Sequence, residues 1–252
     1  MDNSYLEKLI SLTKNGLYNK NDPIYITAHR GVTTYSPENT IPAYEKSVEL
    51  GYYTAECDIR LTKDGVWVLH HNGDLDIFGK EGTIEDHTYE ELCSYKYIKG
   101  ANCDREGLRI CTLDEYLDVF VGSDTRPQIE IKVDGCDMLY TIVYAVEEKG
   151  LVEQSIIISF DLRQLKTIHE INPDIELWYL VDGITPEIIE DVKSVGDNVW
   201  LSASFSENDT ASMQLALDAG VNVSFWTVNT IEDARMLYDM GVRYMETDIL
   251  CN

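Results

Sequence analysis

Short runs of β-forming residues alternate along the chain with longer segments whose apolar positions follow a helical spacing. Nine such runs predict strands: Ile24–Ala28, Thr54–Ile59, Val66–His71, Gln128–Val133, Ser155–Ser159, Glu176–Val181, Asn198–Ala203, Val221–Val228 and Arg243–Thr247. Alternation of strands with helix-length amphipathic segments is typical of a parallel sheet joined by crossover helices.

One connection between predicted strands is too short for a crossover helix. Extended to Leu61, the second run is separated from the third only by residues 62–65, and Asp64-Gly65 between apolar residues favours a two-residue hairpin turn. The third run is therefore an antiparallel return strand, and eight parallel strands remain. We expect residues 1–252 to form a single (β/α)8 TIM barrel domain of the α/β class, with a short helix at the N-terminus.

Residues 73–110 do not follow the repeat. The segment is rich in Gly, Asp, Glu and Tyr and contains one helical pattern near Tyr89–Tyr95. Long connections in compact domains usually carry structure or function of their own. Because this one follows the return strand, we interpret it as a small capping insertion near the barrel mouth.

Charged residues stand at the carboxyl ends of the first two strands, the end at which TIM barrels carry their active sites. His29 and Arg30 suit proton transfer and anion binding, although a histidine there can also be a satisfied core group. Glu56 and Asp58 share one face of their strand, because side chains alternate. Two inward carboxylates favour a hard divalent cation; the alternative is a solvated edge strand.

The hairpin register brings a histidine to this group. With Asp64-Gly65 as the turn, Asp58 stands opposite His71, with Cβ atoms ~5 Å apart on one face. His70 then points away and is interpreted as a packing or surface residue. A slip of one residue would exchange the two faces.

The next barrel strand places Glu130 and Lys132 on one face, which adds a third carboxylate and an ammonium group. Charged residues delivered inward by three strands are hard to explain by structure alone. Trp226 is either a core residue or a wall for the substrate, and Phe160 is a weaker case of the same kind. The segment Pro37–Pro42 is interpreted as mainly structural, at the start of a helix.

The charge of the chain limits the classes of partner that it is expected to bind. The chain has 252 residues with 20 Lys and Arg against 45 Asp and Glu, a net charge of −25. That charge disfavours nucleic acid and stable membrane association, and an anionic substrate would need local positive charge. The six cysteines form no C-x-x-C pair, which favours reduced thiols. We find no signal peptide pattern and no long apolar stretch, so we expect a cytoplasmic protein; the oligomeric state stays open.

The chain resembles the glycerophosphodiester phosphodiesterase family in an ordered set of short motifs. They run from about residue 24 to 248 and comprise His29-Arg30-Gly31, Pro37-Glu38-Asn39-Thr40, Glu56-x-Asp58, Thr62-Lys63-Asp64-Gly65, His70-His71, Glu130-x-Lys132, Ser159-Phe160, Trp226-Thr227-Val228-Asn229 and Thr247-Asp248. The resemblance implies a TIM-barrel enzyme that cleaves small-molecule glycerophosphodiesters to sn-glycerol 3-phosphate and an alcohol.

The resemblance also implies roles for the site residues. The family's counterparts of three residues bind Mg²⁺ or Ca²⁺: Glu56, Asp58 and Glu130. Those of His29 and His71 act as general acid and base, and those of Arg30 and Lys132 hold the phosphate. With three carboxylates, one divalent cation and two basic side chains, we expect a net positive site. A cyclic phosphate intermediate is implied by the family's likeness to phosphatidylinositol-specific phospholipases.

Two departures from the family pattern bear on substrate preference. Asn72 follows His71 where the family usually has Asp, and Asp76-Ile77-Phe78-Gly79 replaces an Arg-Thr-Thr-like stretch. Asn72 either influences His71 or only caps a turn. Two rival functions stay open: a phospholipase-D-like lyase on intact lipids, and a non-catalytic phosphodiester-binding barrel. The charge of −25 argues against the first, and the presence of both histidines argues against the second.

Overall fold

The structure, a computed structural model, describes residues 4–17 and 20–252. Its strands are β1 Ile10–Ser11, β2 Tyr25–Ala28, β3 Thr54–Leu61, β4 Trp67–Leu69, β5 Arg126–Ile131, β6 Ile156–Ser159, β7 Glu176–Val181, β8 Val199–Ser204, β9 Val223–Trp226, β10 Tyr244–Thr247 and β11 Leu250–Cys251. Strands β2, β3 and β5 to β10 pair in parallel, and the pairing of β2 with β3 closes them into a barrel. The predicted (β/α)8 fold is confirmed.

Helices cover the outside of the barrel, and one further short helix, Tyr89–Cys93, lies in the insertion of residues 73–110. They are α1 Ile41–Glu49, α2 Tyr89–Cys93, α3 Leu113–Asp118, α4 Leu139–Glu148, α5 Leu162–Ile171, α6 Pro186–Val195, α7 Thr210–Asp218 and α8 Ile231–Met240, with 3-10 turns at Ser4–Lys8, Asp76–Phe78 and Ile84–Asp86. The short strand β1 pairs in parallel with β11 and joins the two ends of the chain. No helix among the described residues is long and apolar enough to cross a membrane.

Alternation along each strand sorts its side chains between two environments. In β3, Ala55, Cys57 and Ile59 are fully buried in the main core between sheet and helices. Glu56 and Asp58 therefore point into the barrel. The barrel interior has a core of its own on the opposite side, formed by Ile156, Ile158, Trp178 and Leu180. The four buried carboxylates Glu56, Asp58, Glu130 and Glu246 thus lie in the sector of β3, β5 and β10.

The hairpin between β3 and β4 differs from the prediction by one residue. Leu61 pairs with Trp67, and the Thr62 N–H donates to the Val66 carbonyl at 2.9 Å, which leaves a three-residue loop. Gly65, with φ of +82°, takes the left-handed position that such a loop requires. The predicted pairing of Asp58 with His71 is therefore wrong, and the backbone N–H of His70 donates to the Asp58 carbonyl instead, at 2.9 Å.

The insertion has a small core of its own. Its buried residues are Leu75, Phe78, Ile84, Leu92, Tyr97 and Ile110, packed on Val68 of β4. The predicted helical piece is α2, which begins after a capping box between Thr88 and Glu91. The segment packs closely on the barrel rim: a Cβ at Gly100 would lie 2.9 Å from Pro37.

Candidate active site

Three buried carboxylates converge at the barrel mouth. Glu56, Asp58 and Glu130 each offer an oxygen within 4.8 Å of the others, and none is more than 7% exposed. The parallel register of β3 with β5 sets Asp58 directly beside Glu130. Strand pairing and alternation together therefore produce the cluster that the sequence suggested.

Asp58 is held in its ionised form by its neighbours. Its Oδ2 accepts from Asn39 Nδ2 at 2.8 Å and lies 3.4 Å from Arg30 Nε, while Lys132 Nζ lies 3.4 Å from Oδ1. Burial opposes ionisation, but Arg30, Lys132 and His71 together keep the pKa of Asp58 below its usual value. Arg30 and Lys132, both predicted to bind phosphate, thus lie within reach of one metal-binding candidate.

Glu56 is only half satisfied. Its Oε2 accepts the Arg30 backbone N–H at 2.8 Å, which depends on the left-handed backbone of Arg30 at φ +57°. Its Oε1 is buried, with neither a hydrogen-bond nor an ion-pair partner among the described residues. Burial, and then the charges of Asp58, Glu246 and Glu130, raise the pKa of Glu56. A buried carboxylate oxygen without a partner fits a cation ligand, because carboxylate oxygens suit hard divalent ions.

Glu130 forms an ion pair but also lies close to the like charge of Asp58. Lys132 Nζ lies 2.6 Å from its Oε1. Burial and the nearby charge of Asp58 nevertheless raise the pKa of Glu130 to about 7. A bound cation would remove this repulsion and favour the ionised carboxylate.

His29 is fixed by a carboxylate on each side. Its Nδ1 lies 2.8 Å from Asp248 Oδ1, and its Nε2 lies 3.6 Å from Glu246 Oε1. Asn229 Nδ2 donates to the other oxygen of Asp248 at 2.7 Å and orients it. Burial lowers the pKa of His29, but the bond to Asp248 and the charge of Glu246 outweigh it, so the pKa lies above its usual value.

His71 has a neutral partner instead. Its Nδ1 donates to Asn72 Oδ1 at 2.8 Å. Burial lowers the pKa of His71, while the charge of Asp58 opposes that shift. The site thus contains one histidine with a raised pKa and one with a lowered pKa.

His70 and His71 follow β4, which ends at Leu69, and their side chains therefore do not continue the alternation of the strand. Although Asp58 does not pair with His71 as predicted, its charge still acts on the His71 ring. The ring of His70 stacks on Phe78 of the insertion, 5.7 Å away, and its Nε2 donates to the Asp74 carbonyl. His70 is therefore a packing residue, as the sequence indicated.

Three residues near the site were missed by sequence reasoning. Asn39, in the segment interpreted as structural, holds Asp58 through both atoms of its side-chain amide: Nδ2 donates to Asp58 Oδ2, and Oδ1 accepts the Asp58 backbone N–H. Asp248 was noted within a motif and given no role. Glu246 is 4% exposed and faces the barrel interior because Met245 beside it packs in the outer core. The alternation argument applied to β3 and β5 would have found it in β10.

Glu246 changes the predicted charge of the site. With all four carboxylates ionised, one divalent cation and the two basic side chains of Arg30 and Lys132 would bring the net charge of the site to zero. Arg30 also pairs with Glu38, at 3.2 Å. The expected net positive site stays a prediction, because burial and like charges raise the pKa of Glu56, Glu130 and Glu246 and so favour a protonated carboxyl among them.

Phe160 and Trp226 lie together at the rim. Their rings meet edge to face with centroids 5.9 Å apart, and Phe160 is 46% exposed. Trp226 also packs on the core inside the barrel and donates to the Ser202 carbonyl at 3.3 Å. Trp226 is thus both a packing residue and, on its outer side, part of an exposed aromatic wall.

A cavity of about 300 Å³ separates the rim from the insertion. It is lined on the rim side by Glu38 and Asn72 and on the insertion side by Asp76 and Lys99. Because Glu38 contacts Arg30 and Asn72 contacts His71, this space adjoins both groups.

A family model for the "Glycerophosphoryl diester phosphodiesterase family" matches residues 29–250. The chain belongs to this family. Among curated relatives, it is 26% identical to the glycerophosphodiester phosphodiesterase of Bacillus subtilis (strain 168), over 95% of this chain and 88% of that one. It is 28% identical to the enzyme of that name from Caldanaerobacter subterraneus subsp. tengcongensis, over 88% of this chain and 93% of the relative.

Solved structures share the fold. A putative glycerophosphoryl diester phosphodiesterase from Silicibacter pomeroyi gives a TM-score of 0.79 at 24% identity, over 93% of each chain. A phosphodiesterase from Oleispira antarctica, solved with the product sn-glycerol-3-phosphate, gives a TM-score of 0.76 at 23% identity and covers 95% of this chain and 96% of that one. At these identities the likeness bears on the barrel alone.

Proposed function

We propose that this protein is a cation-dependent phosphodiesterase that hydrolyses glycerophosphodiesters to sn-glycerol 3-phosphate and an alcohol. The observation that carries this proposal is the convergence of Glu56, Asp58 and Glu130 at the barrel mouth, with His29 and His71 beside them. Membership of the family supports the substrate class.

The three carboxylates would hold one divalent cation, Mg²⁺ or Ca²⁺. The buried Oε1 of Glu56, which has no partner among the described residues, supports this assignment. When bound, the cation supplies positive charge to a phosphodiester oxygen as a Lewis acid. Arg30 and Lys132 lie beside Asp58 and supply further positive charge to the remaining non-bridging oxygens.

We assign His71 as the general base and His29 as the general acid. An anionic partner favours a protonated imidazole, and His29 has Asp248 on Nδ1; His71 has only the neutral Asn72 amide. Environments that push two pKa values apart identify the acid and the base. Nε2 of His71 would take the proton of the attacking hydroxyl, and Nε2 of His29 would give a proton to the leaving alcohol oxygen.

The attacking hydroxyl belongs either to water or to the neighbouring carbon of the glycerol. The second case forms a cyclic phosphate, which water then opens while the two histidines exchange roles. Phe160 and Trp226 would form a wall for the carbon chain of the substrate, because their exposed rings stand at the rim.

Incubation with several glycerophosphodiesters and Mg²⁺, followed by phosphorus NMR, tests this function. We expect sn-glycerol 3-phosphate to accumulate, and a cyclic phosphate resonance to precede it if the glycerol hydroxyl attacks. A variant with both His29→Ala and His71→Ala is the control. Cleavage of acylated lipids without cleavage of the deacylated diesters would favour the lyase alternative and contradict the proposal.

A further inference from the structure

A second group of potential ligands lies deeper in the barrel than the three carboxylates. His29, Glu56 and Glu246 each offer a ligand atom within 4.8 Å of the other two. The register of β10 with β2 sets Glu246 beside Thr27 and below the ring of His29. Glu56 belongs to both groups, so the two groups meet at one carboxylate.

The orientation of His29 is that of a metal ligand. Ligating histidines commonly donate the other ring N–H to a carboxylate, which fixes the tautomer. Here Nδ1 donates to Asp248, so once the ring has lost the acid proton from Nε2, the lone pair of that atom faces Glu246. The 3.6 Å between Nε2 and Glu246 Oε1 is too long for a hydrogen bond. It is close to the separation of about 3–3.5 Å that bond lengths of 2.0–2.6 Å give two ligands of one cation.

Glu56 supplies an independent observation. Its Oε1 is buried and has no partner among the described residues, and the carboxylate is surrounded by the charges of Asp58, Glu246 and Glu130. Gln128 Nε2 donates to Glu246 at the long distance of 3.4 Å. Within residues 4–17 and 20–252, His29 is the one basic side chain that pairs with Glu246, so the deeper group carries negative charge that no permanent cation in contact with it offsets.

We propose that a second divalent cation binds inside the barrel between His29, Glu56 and Glu246, and that Glu56 bridges it to the first cation of the proposed function. One imidazole with two carboxylates suits Mn²⁺ or Zn²⁺ better than Ca²⁺, which prefers oxygen ligands. The second cation raises the charge of the group from zero to +2, which favours a phosphodiester anion. It also occupies Nε2 of His29, the atom that carries the acid proton.

Occupation of the deeper site therefore has a visible consequence for turnover. At low Mn²⁺ the first cation activates the enzyme, and His29 remains free to donate its proton. At higher Mn²⁺ the second cation removes that donor, so turnover falls. Activity should therefore rise and then fall as the concentration of Mn²⁺ increases.

Counting bound Mn²⁺ by equilibrium dialysis of the metal-stripped protein tests the proposal without reference to activity. We expect two ions per chain for the wild type and one for Glu246→Gln. Glu38→Gln is the matched control, because Glu38 contacts Arg30 but belongs to neither ligand group, and it should keep two ions. Electron paramagnetic resonance of the wild type should show a coupled Mn²⁺ pair, because a carboxylate bridges ions about 3.5–4 Å apart.

Each outcome separates the second cation from the first. One ion in both the wild type and Glu246→Gln would overturn the second site and leave the first in place. Two ions in Glu246→Gln would overturn the assignment of Glu246, and no ion in the wild type would contradict the proposed function as well. If Glu246→Gln does not fold by circular dichroism, His29→Ala should bind one ion by the same assay, and two ions there would overturn the proposal.

Discussion

The two ends of the barrel handle polar and charged residues in opposite ways. The amino ends of the strands carry an aromatic cluster, in which Tyr25 stacks on Tyr244 at 4.7 Å and Trp178 stacks on Trp200 at 5.2 Å. Tyr244 also meets Trp200 edge to face. Such contacts are worth ~0.5–1.5 kcal/mol each beyond the area they bury. This end of the barrel is closed by packing.

The charges within the aromatic end are matched. Arg126 donates to the Gln154 carbonyl, the Tyr53 hydroxyl and Glu176 Oε2 at 2.8–2.9 Å. The other oxygen of Glu176 accepts from Trp178 Nε1 at 2.7 Å. One cation therefore meets one carboxylate, and both carboxylate oxygens of Glu176 have a hydrogen-bond donor.

The charges at the barrel mouth, by comparison, are not matched. Four buried carboxylates face two permanent cations, and Glu56 Oε1 has no partner among the described residues. A structure gains nothing from buried like charges in the absence of a ligand, because their desolvation is costly. Within one barrel, the charges of the aromatic end are thus matched, as in a packed core, while those of the mouth are unmatched, as expected for a site that binds a ligand.

The largest expected effect comes from removing the unmatched carboxylates. Glu56→Ala with Asp58→Ala should abolish cation binding and lower turnover by ~10³-fold or more, since the ion supplies several kcal/mol of charge stabilisation. Circular dichroism should show that the barrel stays folded. Normal turnover by the folded double variant would contradict the claim that the carboxylates at the mouth bind a cation needed for catalysis.

Removal of either catalytic candidate is the next largest effect. His29→Ala or His71→Ala should lower kcat by ~100-fold or more, with a smaller change in KM. His70→Ala is the matched control, because its ring packs on Phe78 and should affect stability rather than kcat. Loss of turnover in His70→Ala with normal turnover in His71→Ala would reverse our assignment.

At the aromatic end the expected effect is on stability. Glu176→Gln removes the charge that matches Arg126 and should lower the free energy of unfolding by ~1.5–3 kcal/mol. Chemical denaturation measures this loss. The kcat of the folded variant should equal that of the wild type; a large fall in kcat would mean that the two ends are not independent.

The aromatic wall should affect substrate binding more than chemistry. Trp226→Ala should raise KM by about tenfold, as expected for the loss of ~1.4 kcal/mol of contact energy, and should change kcat little. Steady-state kinetics on diesters with good and poor leaving groups check this. A purely structural tryptophan would lower the melting temperature and leave KM unchanged.

The smallest expected effect concerns Asn72. Asn72→Asp places a carboxylate at Nδ1 of His71 and raises the pKa of the ring. A base must be neutral, so the acidic limb of the pH–rate profile should move to higher pH, by about one unit. The profile of the variant against wild type measures it. Superimposable profiles would leave Asn72 only a role in the turn.

Periodicity predicted the features that depend on local alternation. The alternation of apolar and polar residues predicted the eight barrel strands and the inward carboxylates of β3 and β5. It also predicted that His70 is a packing residue. The same alternation applies to β10, where Met245 packs in the outer core and Glu246 beside it therefore faces the barrel interior. Glu246 is therefore predictable from the sequence by the same alternation that identifies Glu56 and Glu130.

Other features depend on backbone conformations and on contacts distant in sequence. The register of the hairpin depends on the backbone of Gly65, whose positive φ fits a three-residue loop. The Asp-Gly pair in the sequence is equally compatible with a two-residue turn. The contact of Asn39 with Asp58 needs α1 to dock on β3, and that of Asp248 with His29 joins the two ends of the barrel closure. No local pattern specifies either pair.

The central claim is that the unmatched charge at the mouth requires a divalent cation for function. Its most direct test is the hydrolysis of a glycerophosphodiester by metal-stripped protein in excess chelator, before and after Mg²⁺ or Ca²⁺ is added back. We predict no release of sn-glycerol 3-phosphate in chelator and recovery of turnover with the cation. Full turnover in excess chelator would contradict the account.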